Sequence, residues 1–421
     1  MAPYNAIVVG GRIAGSATAS FLSQAGARVL LLERATFPSA PVSVPVLFSN
    51  SLALLDKLGI RERVEAAGGT RMYHGGAWLD DLHLFAPVLP YHGINYNLGL
   101  RREVLDEILI DHARQQPGVT LRTGFTVTGL VWQDSRVIGV RGRQGGGAEE
   151  TLYADVVVGA DGMRSIVARN TKPREYRRRK GQNAPYYAYY RGFVQHMPAQ
   201  SISYRGSGFG VLVFPADNGL TAISVGVHKQ LWPRVKADVE TEFERLWRSI
   251  PDLAERGRGA ERVGPVKGQE PRPAYYRLPF GPGWALVGDA GYMKDPVTGQ
   301  GIHDALRSAE LFADSWQQWR AGSAWNDAMR SYQQTRDRET KALYNLTYQS
   351  SKVPKRQQLS WFEHVLLRPL ADDSDYAARF TGVYNGATDA DQVIGPFAAI
   401  ELMVRSLFRP LALRWAVRRP F

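Results

Sequence analysis

Ala6-Ile-Val-Val-Gly-Gly-Arg-Ile-Ala-Gly-Ser-Ala-Thr-Ala-Ser-Phe-Leu22 passes from a β-branched run through a glycine-rich turn into small residues at helical spacing. Ala6 to Val9 reads as a buried parallel strand. A second apolar run, Val29-Leu-Leu-Leu32, ends at Glu33. Strand, turn, helix, strand and acid in this order form the context that a dinucleotide fingerprint requires, with the acid accepting hydrogen bonds from an adenosine ribose. Arg12 stands where that fingerprint has its second glycine, the residue that lets the backbone approach a pyrophosphate. Its guanidinium either contacts phosphate instead or projects over the rim of the bound group; both readings stay open.

Three further stretches belong to the same design. Leu98-Gly-Leu-Arg-Arg-Glu-Val-Leu-Asp-Glu-Ile-Leu-Ile110 opens a helix with Val104, Leu105, Ile108 and Leu109 on one face. Ala154-Asp-Val-Val-Val-Gly-Ala-Asp-Gly-Met-Arg-Ser165 is a buried strand that ends in Asp161-Gly162, with Ser165 starting a helix. Trp284-Ala-Leu-Val-Gly-Asp289 is a third such strand, followed by a loop with Pro296, Gly299 and Gly301 and a helix from Ile302. Acids therefore stand where strands reach the carboxyl edge of the sheet, the edge at which open α/β sheets bind ligands. Glycines ahead of a helix expose N–H groups, and the helix dipole adds positive potential there.

Gly288-Asp-Ala-Gly-Tyr-Met-Lys-Asp-Pro-Val-Thr-Gly-Gln-Gly-Ile-His-Asp-Ala-Leu306 resembles the second FAD motif of flavoprotein monooxygenases of the aromatic-hydroxylase (group A) type. The branch it resembles is also similar to geranylgeranyl reductases. The likeness covers most of the chain and fits the tail only loosely. It implies an α/β fold: a Rossmann-like FAD-binding domain of the glutathione-reductase type, an inserted antiparallel-sheet substrate domain and a C-terminal helical region. The FAD domain would comprise residues 1–75, 98–182 and 265–335, the substrate domain 76–97 and 183–264, and the helical region 336–421.

The implied FAD contacts near the first turn are Gly10, Gly11, Arg12, Ala14, Gly15, Glu33 and Arg34. Arg102 matches the third flavin contact of the group, with Arg101 its adjacent rival. Asp161 belongs to a motif that the family uses for both FAD and reduced nicotinamide. Gly288, Asp289, Pro296, Gly299, Gln300, Gly301 and Ile302 complete the set, Asp289 on the ribityl hydroxyls and the loop along the isoalloxazine. Pro296 and His303 are the candidates nearest the chemistry. An imidazole departs from the small polar residue usual at position 303. It either positions flavin or substrate as a neutral ring, since a helix N-terminus disfavours its cation, or packs on the outer face of the helix. A second departure is Ser43-Val44-Pro45, where relatives often carry Ser-Thr-His, so no catalytic imidazole is carried over there.

By this resemblance NAD(P)H reduces the flavin, O2 forms a C4a-hydroperoxide, and one oxygen passes to a hydrophobic or aromatic small molecule, of the kind met in secondary metabolism. A separate flavin reductase as partner stays open. The first alternative is a flavin-dependent reductase of an isoprenoid or other alkene. A flavin halogenase ranks below it because the sequence has no Trp-x-Trp-x-Ile-Pro, and a non-catalytic flavoprotein ranks low as well.

The chain has 421 residues, 44% of them hydrophobic, and no cysteine. That length exceeds one ordinary core, and the absence of thiols excludes disulfides and thiolate metal sites, so no metal is expected. No apolar run reaches the roughly 18 residues of a membrane span. Met1 to Asn5 lead directly into the first strand without a secretory signal, which predicts a cytoplasmic protein. The net charge of +12 suits anionic cofactors; no nucleic-acid motif accompanies it. The densest basic run, Lys172 to Lys180, reads as a solvated loop. Strands are expected at Val119–Arg122, Thr126–Trp132 and Val137–Arg141 as a β-meander. Ser51 is expected to cap a helix, and Val235–Leu246 to be one helix. Aromatic and β-branched runs between Asn183 and Arg262 predict an antiparallel sheet. The basic, apolar tail Val404–Phe421 either packs over the substrate domain or touches a membrane surface.

Overall fold

A computed structural model describes residues 4–37, 43, 46–352, 358–389 and 393. Its central layer is a parallel sheet in the order Phe280–Gly281, Trp284–Leu286, Glu150–Gly159, Tyr4–Val9, Val29–Glu33, Val119–Thr123. Along this path only the Phe280–Gly281 edge pairs antiparallel. The register sets Val8 beside both Leu31 and Val158, and Gly159 beside Leu286. Ile7, Val8, Leu31, Val157 and Leu286 are fully buried, as continuous apolar strands covered on both faces must be. The helix Ile13–Gln24 is buried along most of its length and packs against the helix Gly301–Arg320.

The strand Val119–Thr123 joins this sheet beside Val29–Glu33, so the expected meander is displaced by one strand. It consists of Phe125–Gln133, Arg136–Gln144 and the start of Glu150–Gly159. Alternation alone cannot show whether a short edge strand pairs forward or back. The helix expected behind Ser51 starts at Ser49 with Phe48 as its cap residue, so Ser51 lies inside it. Val235–Leu246 is two helices, Trp232–Ala237 and Val239–Arg248, divided by Asp238, whose side chain accepts from Thr241 N–H.

A seven-stranded sheet stands apart from the first, in the order Glu261–Gly268, Asn183–Arg191, Thr221–His228, Phe209–Pro215, Gln200–Gly206, His74–Leu79, Leu82–Pro87. It is antiparallel except where Gln200–Gly206 meets His74–Leu79. On one face Tyr186, Tyr190, Val225 and Phe209 pack against Phe243 and Trp247 of the Val239–Arg248 helix. On the other, Tyr187 and Tyr189 join Val46, Met72 and Phe214.

The basic run is not a solvated loop. Glu175–Arg179 forms a small sheet with Ala274–Arg277 and Tyr292–Met293. There Arg177 lies over Tyr276 and Arg179 over Tyr344, so their apolar stems are used in packing. Helices Trp325–Ser350, Trp361–Asp372 and Ser374–Thr381 follow, the last two burying Leu370 and Tyr376 against Leu82 and Leu84. The tail Val404–Phe421 lies outside the described residues. Among the described residues no helix is long and apolar enough to cross a membrane, and no His/Asp/Glu group could hold a metal ion.

Candidate functional site

The glycines of the first turn are required by contact rather than by flexibility alone. Gly10 has φ +103°, and a Cβ there would lie 2.7 Å from the Ala160 carbonyl oxygen. A Cβ on Gly15 would lie 1.6 Å from the Gly10 carbonyl oxygen. The helix N-terminus is thereby drawn onto the turn and against Asp161. Gly11 N–H donates to Glu33 Oε2 at 2.6 Å and Ala35 N–H to Oε1 at 2.8 Å, which fixes the Glu33 carboxylate at the strand end. Arg34 beside it is exposed. Ala14 is buried, and a Cβ on Gly288 would lie 2.8 Å from Ala14 Cβ, so the two glycine turns, far apart in sequence, close on one helix.

The two candidate arginines separate clearly. Arg101 binds the buried Asp217 through its N–H and its guanidinium, both at 2.8 Å, and so is tied to the seven-stranded sheet's side. Arg102 is 8% exposed and makes bidentate contacts with the fully buried Asp106, one turn along the same helix. The Arg102 charge also acts on Asp289, and that of Arg12 on Asp106. Arg12, Arg102, Asp106 and Asp289 therefore converge. Asp106 was missed in the sequence, although its i,i+4 spacing to Arg102 is the signal that would have found it.

Asp289 lies in a single 3-10 turn, Gly288–Ala290, with Gly288 N–H donating to Ser308 Oγ at 2.8 Å. Asp289 keeps an exposed surface although protein packs densely around it. Burial first, then the nearby Asp304, raise its pKa to about 6; Arg102 and Lys294 oppose them. Asp161 accepts from Ile166 N–H through Oδ2 at 2.6 Å, while Oδ1 is buried with no partner in the chain. Burial raises its pKa too, against the hydrogen bonds from Ser165 and Ile166.

The loop beyond Asp289 begins with a short turn, Pro296–Thr298, capped by Asp295. Gly299 is left-handed at φ +68°, and the helix starts at Gly301 behind Gln300. Ile302 points into the core. Pro296 brings no titratable group, only the fixed φ suited to the first position of that turn. Lys294 and Asp304 form a largely buried ion pair across the loop's two ends. No local pattern singles them out, because ten residues separate them. His303 keeps an exposed edge, but its Nδ1 is buried without a partner. Burial lowers its pKa to about 4, with Asp304 opposing, so the ring is neutral at pH 7. It faces a cavity between its own helix and the Trp325–Ser350 helix, so it does not simply lie on an outer face.

A family model described as "FAD binding domain" matches residues 4–236. A tryptophan 2-halogenase from Chondromyces crocatus is 29% identical over 328 residues, which are 73% of this chain and 60% of that protein. The chain therefore spans less than two thirds of this relative's length. Monooxygenase CTB7 from Cercospora beticola is 27% identical over 334 residues, 73% of this chain and 77% of the relative. Digeranylgeranylglycerophospholipid reductases match as well. A solved flavoprotein/dehydrogenase from Cytophaga hutchinsonii shares the fold with a TM-score of 0.79 at 16% identity, covering 95% of this chain and 99% of that one. Flavin-dependent halogenases are among the other solved structures with this fold.

Proposed function

We propose, from the premise that this chain belongs to the FAD-binding-domain family, that it is an FAD-dependent monooxygenase acting on a hydrophobic or aromatic small molecule. The residues fit the cofactor on physical grounds. Gly10 and Gly15 let the turn and the helix start close onto Ala160, which exposes a tight glycine turn of the kind a pyrophosphate approaches, and Asp161 Oδ1 is a buried acceptor still lacking a donor. Glu33 would take the adenosine ribose, Arg12 and Arg102 the charge of the phosphates, and Asp289 the ribityl hydroxyls. When bound and reduced, FAD supplies the activation of O2, and NADH or NADPH is the reductant in this reading.

The observation that carries the reading is the loop from Pro296 to Gly301. Its left-handed Gly299 closes the short turn, with Gly299 N–H donating to the Pro296 carbonyl at 2.9 Å, and leads into the Gly301–Arg320 helix, whose first N–H groups have no partner within the helix. Such groups stabilise negative charge on a bound ring without moving. His303 holds no proton as a cation, so it orients by hydrogen bonding and does not act as an acid at neutral pH.

A second reading is favoured by one specific finding: the tryptophan 2-halogenase and the brominase among the relatives. Sequence reasoning ranked that chemistry low on a missing motif. Both readings share the cofactor, and one experiment separates them. The protein is supplied with FAD, NADH or NADPH, bromide and air, with and without an added flavin reductase, against a panel of phenols, indoles and pyrroles. A product heavier by one oxygen supports the monooxygenase. Replacement of hydrogen by bromine overturns it in favour of the halogenase, and gain of two hydrogens by an isoprenoid alkene in a parallel incubation without air favours the reductase.

A further inference from the structure

We propose that a cavity of about 380 Å³ between the Gly301–Arg320 and Trp325–Ser350 helices is a second small-molecule site. It would take an uncharged, ring-sized ligand that carries O–H or N–H donors. It shares Gly288 and Gln300 with the expected flavin set, but Gly10, Glu33, Arg102 and Asp289 do not line it, so it adjoins the dinucleotide crevice and does not coincide with it. It reaches the loop after Asp289 through Gln300 and His303.

Four polar atoms of its lining have no partner, the Tyr292 hydroxyl among them. Asn50 Oδ1, Gln300 Oε1 and His303 Nδ1 are all buried and unbonded. Asn50 is 4% and Gln300 1% exposed. The orientation of Gln300 is fixed, because its Nε2 donates to the Tyr384 carbonyl at 2.8 Å, and its Oε1 is therefore an acceptor awaiting a donor. A buried acceptor left unpaired is costly, and a ligand or water that supplies the donor removes that cost. The rest of the lining includes Leu311, Leu343 and Val383, which suit an apolar ring.

Most of the charge in the walls is matched, the exposed Arg338 being the exception. Arg307 is shared by Glu310 and Glu339, Lys294 pairs with Asp304, and Arg336 pairs with Asp337. His303 is neutral at pH 7 because burial disfavours its cation. An ionic ligand seated among the buried walls would compete with these pairs, whereas a neutral donor finds acceptors ready there. The volume lies in the lower part of the range of small-molecule pockets, roughly 300–1,000 Å³. Ordered water is the plain rival occupant, since polar cavities of this kind hold it.

The test uses the full-length, FAD-loaded protein with phenol and indole as probes, and benzene as a ring without a donor. Calorimetry should show saturable binding of phenol or indole, about tenfold tighter than benzene, the factor expected of one added hydrogen bond. Leu343→Trp, which fills the cavity, should abolish it, and the smaller change Leu343→Phe should weaken it where the first variant folds poorly. A crystal soaked in phenol should place the hydroxyl at Gln300 Oε1. Failure to saturate, equal binding of benzene, binding that survives Leu343→Trp, or a soaked crystal with only water at these atoms overturns the proposal. The site does not rest on the oxygenase reading: absence of oxygenation leaves it standing, and absence of phenol binding leaves the oxygenase reading standing.

Discussion

The carboxyl edge of the parallel sheet and the seven-stranded sheet are built on opposite logics. At the first, close backbone approach sets the shape: Gly10, Gly15 and Gly288 stand where any Cβ would collide with the Ala160 carbonyl, the Gly10 carbonyl or Ala14. At the second, side chains fill both faces, as Tyr186 and Tyr190 turn toward Trp247 while Tyr187 and Tyr189 turn toward Phe214. A site made from backbone and fixed acids tolerates little change, but costs little stability beyond its own turn. A sheet made from interlocked aromatics holds stability and leaves the shape of any substrate wall to a few exposed positions.

The sharpest way to break this contrast is Trp247→Ala. Trp247 is fully buried and donates from its indole N–H to Tyr190 OH at 3.2 Å. Its loss should lower unfolding free energy by about 3–5 kcal/mol, read by urea denaturation, while the folded fraction keeps its FAD affinity. A parallel loss of FAD affinity would show that the two regions are not separable.

Asp289→Asn and Glu33→Ala should act first on the cofactor. Each removes a charged hydrogen-bond acceptor at a strand end, worth about 1.5–3 kcal/mol in cofactor binding, or roughly ten- to hundredfold in Kd. Fluorescence titration with FAD measures this; the urea midpoint of the FAD-free protein should not fall for Asp289→Asn, whereas it should fall for Glu33→Ala, because Gly11 N–H and Ala35 N–H lose their acceptor.

His303 supplies a pH dependence of definite sign. Its folded pKa of about 4 lies below the ordinary 6.5, so the unfolded chain binds the proton first as pH falls. The stability contributed by the neutral buried ring is complete above pH 6.5 and is lost toward pH 4. Between pH 7 and 5 the loss is about 2 kcal/mol, and His303→Asn should remove that part of the acid destabilisation. Asp289, with its raised pKa, works in the opposite sense, losing stability as pH rises through about 6. The comparison of parent with His303→Asn isolates the histidine.

The smallest effect belongs to Arg12. If its guanidinium contacts phosphate, Arg12→Ala weakens FAD about tenfold, as loss of a charge-assisted hydrogen bond implies. An unchanged titration leaves it at the rim.

How much of this was legible follows the same division. The glycine turns, Glu33, Asp161 and Asp289 could be placed from the sequence because their chemistry depends on local order: strand, turn, acid, helix. Arg102 could be named but not separated from Arg101, since the deciding contacts are with Asp106 and with the distant Asp217. The pair Lys294–Asp304 and the unpartnered Asn50 and Gln300 were invisible, as each depends on how two helices pack. The misplaced meander and the basic run had the same cause. A short edge strand and an arginine over a tyrosine are settled by tertiary partners that no local pattern names.

The claim beneath all of this is that the crevice joining Glu33, Arg102 and Asp289 holds one extended FAD. The most direct measurement is the flavin released on denaturing the purified full-length protein, or bound on titration of the colourless form. The account predicts FAD, not FMN, near one per chain, with Glu33→Ala binding it at least about tenfold more weakly. A protein that neither carries nor takes up FAD, or that takes it up equally well without the Glu33 carboxylate, contradicts the account.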